Sequence, residues 1–236
     1  MNKNIIITGG AGGLGLEIVK QHLAKQDHVW VLDLARTEAM TRLREGRQGT
    51  LLHFEVCDVS STEAVERALQ GLKTKADQVD VIYSCAGICR NTDRVPLGLT
   101  DLDAIAEVVD INAVGFLRVV KVVLPLLKNG CHIVCVTSEA ASITNNHRSG
   151  EFSYGMSKAA ENMGCAILQH YFREIGQDTR VFCLHPGWLK TEMGGGDIAE
   201  VDPADSAAAL VKIAEEADRI PEDLMFMDYQ RKAMPW

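Results

Sequence analysis

A glycine-rich segment near the start of the chain constrains the fold more than any other feature of the sequence. It reads Thr8-Gly9-Gly10-Ala11-Gly12-Gly13-Leu14-Gly15, with the apolar run 5–7 before it and the amphipathic run 16–23 after it. Glycines let a backbone turn tightly and leave its N–H groups open to a phosphate. The first turn of the following helix adds about half a positive charge that faces the same anion. The segment therefore predicts a phosphate-binding turn between a strand and a helix.

The spacing of these glycines fits two related dinucleotide-binding patterns. G-x-G-x-x-G is met by Gly10, Gly12 and Gly15, and T-G-x-x-x-G-x-G by Gly9, Gly13 and Gly15. Such a pattern alone also occurs in ordinary surface turns. The next apolar run, 28–32, ends in Asp33, which lies 18 residues after Gly15 and close to the roughly 20 expected for a carboxylate that binds a ribose. The combination favours a dinucleotide site.

Length and charge exclude several classes of protein. A chain of 236 residues with 47% hydrophobic residues suits one α/β domain, and no apolar run approaches the roughly 18 residues of a membrane span. The net charge of −8 argues against nucleic acid and anionic membranes as partners. The seven cysteines form no C-x-x-C pair, so we expect neither a disulfide framework nor a metal site. The N-terminus lacks a signal peptide, so we expect a cytoplasmic location.

Apolar runs alternate with helical patterns along the whole chain. The predicted strands are 3–8, 28–33, 50–56, 79–84, 131–137 and 179–184, with a shorter one near 224–227. The predicted helices are 13–26, 60–76, 101–127, 152–175 and 205–217, with a weaker one at 36–45. This alternation predicts a single α/β domain spanning 1–236, a doubly wound parallel sheet (Rossmann fold) of about seven strands with helices on both faces.

Small, polar and anionic residues follow the predicted strands. Ligands of open parallel sheets bind beyond the carboxyl ends of the strands, so these residues are the candidate site. They are the glycine-rich turn, Asp33, Asp58, Ala86-Gly87, Ser138 and Pro186-Gly187.

Tyr154 and Lys158 form the candidate catalytic pair. Their i, i+4 spacing places them on one face of a predicted helix. A nearby ammonium favours the phenolate, so we expect Lys158 to lower the tyrosine pKa and let Tyr154 exchange a proton with a carbonyl or alcohol. Ser138 could orient the same oxygen, and Asn112 could hold a water that connects Lys158 to solvent.

In order and spacing, these segments resemble the single-domain short-chain dehydrogenase/reductase family, and more finely its carbonyl-reductase-like members. The matching segments are Thr8 to Gly15, Cys57-Asp58-Val59, Ala86-Gly87, Asp110 to Ala113, Ser138, Tyr154, Lys158, and His185 to Thr191. The resemblance implies hydride transfer between a nicotinamide dinucleotide and a carbonyl or secondary alcohol. It implies a catalytic set of Asn112, Ser138, Tyr154 and Lys158.

The same resemblance implies the cofactor contacts. They are Gly9, Gly12, Gly13, Leu14, Gly15, Asp33, Asp58, Val59, Ala86, Gly87, Asn112, Tyr154, Lys158, Pro186, Gly187 and Thr191. Two departures from the family pattern are Ser84-Cys85 in place of a common Asn-Asn before Ala86, and a wide separation of 16 residues between Ser138 and Tyr154.

The chain leaves finer points open. Asp33 and the absence of a basic residue in the glycine turn predict NAD(H) over NADP(H), with Arg36 as the counterargument. The substrate is an unidentified small carbonyl or alcohol, with 188–204 as the candidate substrate loop. The alternatives are a 3-ketoacyl reductase acting on an acyl carrier and a non-catalytic dinucleotide sensor.

An excess of apolar residues in the two long helices predicts a homodimer or homotetramer; the residues singled out are Val108, Val109, Val119, Val120, Val122, Val123 and Leu126.

Overall fold

Seven parallel strands form one sheet, in a computed structural model that describes residues 2–236 apart from the side chain of Asn91. The strands are β1 (Asn4–Thr8), β2 (His28–Asp33), β3 (Leu52–Val56), β4 (Val79–Ser84), β5 (Leu127–Val136), β6 (Arg180–His185) and β7 (Phe226–Asp228). Their order is β3-β2-β1-β4-β5-β6-β7, so the chain winds outward from β1 in one direction and from β4 in the other. The predicted doubly wound parallel sheet in a single domain is confirmed.

The strands are apolar along their whole length because helices cover both faces of the sheet. Side chains alternate between the faces, so Ile6 packs in one core layer and Ile5 and Ile7 in the other, all three with no exposed surface. The helices are α1 (Gly13–Ala24), α2 (Glu38–Glu45), α3 (Thr62–Ala68), α4 (Gln70–Lys75), α5 (Ile105–Val109), α6 (Gly115–Val123), α7 (Phe152–Glu174) and α8 (Pro203–Glu215). Residues of α1, α2 and α8 fill one layer, and residues of α3, α4, α6 and α7 fill the other.

Three predicted boundaries were wrong. The predicted helix 60–76 is two helices, because Leu69 leaves helical geometry with φ −91° and ψ 2°. The predicted helix 101–127 begins only at Ile105, and Pro125 lies in a short 3₁₀ turn that ends it. The strand predicted at 131–137 already begins at Leu127, which pairs with Val79 before an irregularity shifts the register.

A single π-helical turn, Asp110–Val114, joins α5 to α6 and carries Asn112. Such turns insert one residue into a helix and are frequent at functional sites. Here it places the Asn112 amide in the interior of the chain, with the side chain 1% exposed.

The apolar residues predicted to form a subunit interface on the first long helix are mostly used within the chain. Val108, Val119, Val120, Val122 and Val123 are buried against the chain's own core. A row of exposed apolar residues lies on α7; its members are Met156, Met163, Ile167 and Tyr171. The expectation was therefore wrong about which residues of the first helix are free.

Residues 2–236 contain neither a membrane-spanning helix nor a metal-binding cluster. No described helix is long and apolar enough to cross a bilayer. No described group of three or more His, Cys, Asp or Glu side chains could hold a metal ion. All seven cysteines are free thiols.

Candidate active site

The glycine turn between β1 and α1 is shaped for a bound anion. A Cβ on Gly9, whose φ is +65°, would stand 2.7 Å from the Ala86 nitrogen, so no other residue fits between these backbones. A Cβ on Gly12, in contrast, would meet nothing within 4 Å. Gly12 caps α1 without any side-chain hydrogen bond, which leaves the first N–H groups of the helix free. Open space in front of unpaired N–H groups fits a pyrophosphate.

A cavity of about 820 Å³ runs along the carboxyl ends of the strands from this turn. Most of the predicted site residues line it, namely Gly9, Gly12, Gly13, Leu14, Gly15, Asp33, Asp58, Val59, Ala86, Gly87, Tyr154, Lys158, Pro186 and Thr191. Asn112, Ser138 and Gly187 do not line it. Gly187 instead turns the chain with φ +85°, where a Cβ would press on Val201 and Tyr229.

Further lining residues, Glu17 and Thr37 among them, were not predicted from the sequence. Lys190 and Glu192 also line the cavity and lie within the predicted substrate loop 188–204. Each of these residues lies within a few positions of a predicted site residue. Proximity to the end of a strand, rather than residue type, is therefore the sequence feature that could have identified them. Glu17, Asp33, Asp58 and Glu192 outnumber Lys158 and Lys190 among the charged lining residues.

Asp33 ends β2 and binds the glycine turn directly. Its Oδ2 accepts a hydrogen bond from the Ala11 nitrogen at 2.8 Å, and its Oδ1 accepts one from the Leu34 nitrogen at 2.7 Å. The carboxylate therefore has a structural task besides any contact with a ribose. Arg36, three residues on, is not part of the cavity wall; its guanidinium carbon lies over the Phe54 ring, 5.0 Å from the centroid.

Lys158 lies one turn after Tyr154 on α7, and the structure brings the two together as predicted. The Lys158 Nζ lies 6.0 Å from the centroid of the Tyr154 ring. It donates hydrogen bonds to the Val136 carbonyl at 2.9 Å and to Glu161 Oε2 at 2.8 Å. Burial disfavours the charged ammonium, but the Glu161 carboxylate and Tyr154 outweigh it and raise the pKa of Lys158 well above its usual range.

The predicted direction of the Tyr154 pKa shift was wrong for this structure. Burial raises the pKa of the Tyr154 phenol above its usual value. The Lys158 ammonium and the Ser138 hydroxyl act in the expected downward direction but offset only part of this effect. The sequence predicts the cation beside the phenol, but it does not reveal the burial that raises the pKa of the phenol.

Ser138 and Asn112 support the pair from two sides. The Ser138 hydroxyl accepts a hydrogen bond from the Ala140 nitrogen at 3.1 Å, which fixes it in the first turn after β5. The Asn112 Oδ1 accepts from the Ile88 nitrogen at 2.8 Å, and its Nδ2 donates to the Ile88 carbonyl and to Ser157 Oγ, both at 2.9 Å. Both amide N–H groups are thus used within the chain, which leaves only a carbonyl lone pair for the predicted water.

Asp93 organises the start of α7 from a distant part of the chain. Its Oδ1 and Oδ2 accept hydrogen bonds from the Ser153 and Tyr154 nitrogens at 3.3 and 3.0 Å, and its own carbonyl accepts one from Glu151. The side chain is 6% exposed. Glu151, at the N-terminus of α7, makes no side-chain cap, so Asp93 supplies the cap from about 60 residues away. No local pattern could have revealed this.

The segment 188–204 is closed by its own hydrogen bonds. The Val201 nitrogen donates to the Trp188 carbonyl at 2.9 Å, and the Trp188 Nε1 donates to the Gly194 carbonyl at 2.6 Å. Leu189, Lys190, Thr191, Glu192 and Met193 of this segment line the cavity. The segment therefore forms one wall of the cavity beyond β6.

Known proteins resemble this chain in sequence and structure. A family model described as short chain dehydrogenase matches residues 3–201. The 1-hydroxy-2-glutathionyl-2-methyl-3-butene dehydrogenase of Rhodococcus sp. is 35% identical over 158 residues, which are 66% of this chain and 68% of that protein. The structure of the Drosophila melanogaster carbonyl reductase Sniffer matches with a TM-score of 0.87, 25% identity and full coverage of both chains. A Pseudomonas aeruginosa carbonyl reductase in complex with NADP matches with a TM-score of 0.83 at 26% identity, again with full coverage.

The doubly wound sheet, the glycine turn and the Tyr154–Lys158 pair at the same cavity define a dinucleotide-dependent oxidoreductase. The chain belongs to the short-chain dehydrogenase family. It transfers a hydride between a nicotinamide dinucleotide and a carbonyl or alcohol substrate, and its structural neighbours include carbonyl reductases.

Proposed function

We propose that this enzyme works as a carbonyl reductase in which Tyr154 donates the proton to the substrate oxygen. The observation that carries the proposal is the position of Tyr154, in the cavity wall with the Lys158 Nζ 6.0 Å from the centroid of its ring. A phenol with a raised pKa is protonated at pH 7, as a proton donor must be. A protonated phenol in the cavity wall fits the reduction of a ketone or aldehyde.

Each neighbouring side chain has a separate task in this proposal. Ser138 donates a second hydrogen bond to the substrate oxygen and so orients the carbonyl. Lys158 stabilises the phenolate that remains after proton transfer, because its ammonium is held close by in a dry environment. Asn112 fixes the Ile88 backbone beside the cavity. The bound dinucleotide supplies the hydride.

The cofactor lies, in this proposal, along the residues that line the cavity. The free N–H groups of α1 and the turn from Gly9 to Gly15 hold the pyrophosphate, and Asp58 and Val59 lie beside the adenine. Ala86, Gly87 and Lys158 lie beside the nicotinamide ribose; a Cβ on Gly87 would lie 3.2 Å from Asn112 Oδ1 and 3.6 Å from the Lys158 Nζ. Pro186 and Thr191 lie near the nicotinamide carboxamide, and Gly187 turns the chain between them.

We further propose that NAD(H) is preferred over NADP(H), although neighbours of this chain have been solved with NADP. The wall beside the predicted ribose position consists of Asp33, Leu34, Ala35 and Thr37, and Arg36 faces Phe54 instead. A carboxylate without a nearby cation repels a 2′-phosphate. The ratio of kcat/KM for NADH and NADPH tests this preference. Equal or higher kcat/KM with NADPH would contradict it.

The replacement Tyr154→Phe tests the proposed proton donor. Turnover of a diketone such as benzil, followed at the absorbance of the reduced cofactor, should fall at least about 100-fold, the lower range for general acid catalysis. The dissociation constant of NADH should stay within about twofold, because the ring is kept. Turnover that survives this replacement would contradict the assigned mechanism.

The two alternative functions predict different outcomes. A non-catalytic sensor would bind NADH without turnover of any carbonyl, in the wild type as in the variant. A reductase of carrier-bound acyl groups would prefer an acyl thioester on its carrier to free ketones. The acidic balance of the chain disfavours docking of an acidic carrier protein.

We propose a homodimer built on the exposed face of α7. Met156, Met163, Ile167 and Tyr171 follow helical spacing, and Met163 and Ile167 are more than 60% exposed. Ile167→Glu should convert the dimer to a monomer in size-exclusion chromatography with light scattering, whereas an unchanged mass would contradict this interface. The segment 188–204 as substrate loop and the cytoplasmic location stay predictions.

A further inference from the structure

A buried carboxylate stands directly behind the proposed catalytic pair. Glu161 is 1% exposed and lies one turn beyond Lys158 on α7, where its Oε2 is 2.8 Å from the Lys158 Nζ. Its Oε1 has no hydrogen-bond partner among the described residues. Burying a carboxylate is costly even when it is paired, and one unpaired oxygen increases that cost. Packing alone therefore does not explain a carboxylate at this position.

Glu161 fixes the position of the Lys158 ammonium. Two of the three N–H groups of Nζ are used by Glu161 and by the Val136 carbonyl at the end of β5. One N–H remains free on the side of the cavity, which Lys158 lines. Because Val136 and Glu161 belong to a strand and a helix of the core, the ammonium is held by two rigid elements rather than by a loop.

Glu161 also changes the electric field at Tyr154. The other titratable groups around the pair are the Asp93 carboxylate, which accepts a hydrogen bond from the Tyr154 nitrogen, and five thiols, namely Cys85, Cys89, Cys135, Cys165 and Cys183. Burial raises the pKa of Cys85 and of Cys135, so these thiols are neutral at pH 7. Lys158 and Glu161 thus form an ion pair in which the carboxylate offsets part of the effect of the ammonium on Tyr154.

We propose that Glu161 is a positioning residue that holds the Lys158 ammonium in place and offsets part of its charge, and thereby weakens the effect of that charge on the Tyr154 phenol. This inference rests on the proposed role of Tyr154. An ammonium without a neighbouring carboxylate would stabilise the phenolate form of Tyr154, which favours alcohol oxidation. With Glu161 beside the ammonium, this effect is smaller and the phenol loses its proton only at a higher pH.

The size of the effect follows from the distances. The Glu161 oxygen lies 2.8 Å from Nζ, and Nζ lies 6.0 Å from the ring centroid of Tyr154. A unit charge within about 9 Å, at an effective dielectric constant of roughly 20 to 30, moves a titration midpoint by about one pH unit. Removing the Glu161 charge should lower the Tyr154 midpoint by this amount.

Spectroscopic titration of the phenol measures this without cofactor or substrate. The chain has four tyrosines, so the tyrosinate absorbance of a Tyr154→Phe variant is subtracted to isolate Tyr154. Glu161→Gln keeps an oxygen that accepts from Nζ and removes the charge. We expect its midpoint about one pH unit below that of the wild type. Glu174→Gln, at an exposed position near the end of the same helix, should leave the midpoint unchanged.

An unchanged or raised midpoint in Glu161→Gln would overturn the inference, and so would an equal shift in the Glu174→Gln control. Should Glu161→Gln not fold, as judged by circular dichroism, the double replacement Lys158→Met/Glu161→Met decides. Neutral side chains of similar size often replace a buried ion pair without loss of stability. Because Glu161 already offsets part of the Lys158 charge, removing both charges should raise the midpoint by less than about one pH unit. A larger rise would show an unopposed ammonium and contradict the inference.

The titration is independent of the proposed function. If the midpoint shifts as expected but Tyr154→Phe retains turnover, the assigned mechanism fails and the tuning by Glu161 stands. If turnover is lost in Tyr154→Phe but the midpoint does not move in Glu161→Gln, the mechanism stands and this inference fails.

Discussion

Replacing Asp93 should damage both stability and catalysis, because this side chain caps the helix that carries Tyr154. Its carboxylate accepts two backbone hydrogen bonds, from Ser153 and Tyr154, and is almost fully buried. Loss of an N-cap costs about 0.5–2 kcal/mol, and hydrogen bonds to a charged group contribute about 1.5–3 kcal/mol. Because one of the two bonds is long, we expect Asp93→Ala to lower the free energy of unfolding by about 2–3 kcal/mol.

This loss corresponds to a fall in melting temperature of about 4–12 °C for a chain of this size. Chemical denaturation measures the free energy directly, with an unchanged m-value as evidence that the folded state is intact. Asp93→Asn keeps one acceptor oxygen and should lie between the wild type and Asp93→Ala. A loss below about 0.5 kcal/mol in Asp93→Ala, the range of ordinary surface changes, would refute the reasoning.

Catalysis separates the positioning role from simple stabilisation. The backbone of Tyr154 is itself one of the capped groups, so we expect kcat in Asp93→Ala to fall at least about tenfold at a temperature where the variant is folded. Ser61 caps α3 through the Ala64 nitrogen at 3.2 Å and lies outside the cavity wall, so Ser61→Ala is the matched control. It should cost about 1 kcal/mol and leave kcat unchanged. Equal effects of both variants on kcat would contradict the positioning role.

Three further predictions concern the glycine turn and the dependence of stability on pH. Gly9→Ala should lower the free energy of unfolding by at least about 2 kcal/mol, because φ is positive and the new Cβ meets the backbone of Ala86; a melting curve like that of the wild type would contradict this. Gly12→Ala should change stability by less than about 0.5 kcal/mol and weaken NADH binding roughly tenfold in calorimetry, since its Cβ enters open space; unchanged affinity would contradict the proposed pyrophosphate position. Burial, together with the charge of Lys75, lowers the pKa of His53 to about 4. In the unfolded chain His53 binds a proton below about pH 6.5, so its contribution to the free energy of unfolding is fully present above that pH and falls by about 1–2 kcal/mol toward pH 4. His53→Gln should remove this part of the loss, and a pH profile identical to that of the wild type would contradict the prediction.

The sequence alone predicted the sheet and most of the cavity wall, because both depend on local signals. Continuous apolar runs mark strands that are buried on both faces, and the residues after such strands must meet at one edge of the sheet. The glycine turn, Asp33 and the Tyr154–Lys158 pair were therefore found at the expected places.

The tertiary features of the site escaped prediction for physical reasons. Asp93 acts on residues about 60 positions away, and no pattern in its own neighbourhood indicates a helix cap. Glu161 sits on the inner face of α7 with no sign in the sequence that its carboxylate is buried. Burial of the phenol raises the pKa of Tyr154, and the Lys158 cation lowers it. The spacing of Tyr154 and Lys158 in the sequence reveals the cation but not the burial.

The central claim is that the Tyr154 hydroxyl and the dinucleotide act on the same carbonyl group. A crystal structure of the enzyme with the oxidised cofactor and an unreactive ketone analogue tests it most directly. We expect the Tyr154 hydroxyl within about 2.6–3.2 Å of the analogue's oxygen, with the carbonyl carbon facing the nicotinamide ring at about 3–3.5 Å. A nicotinamide ring bound on the far side of the cavity, with no space for a carbonyl group between it and Tyr154, would contradict the account.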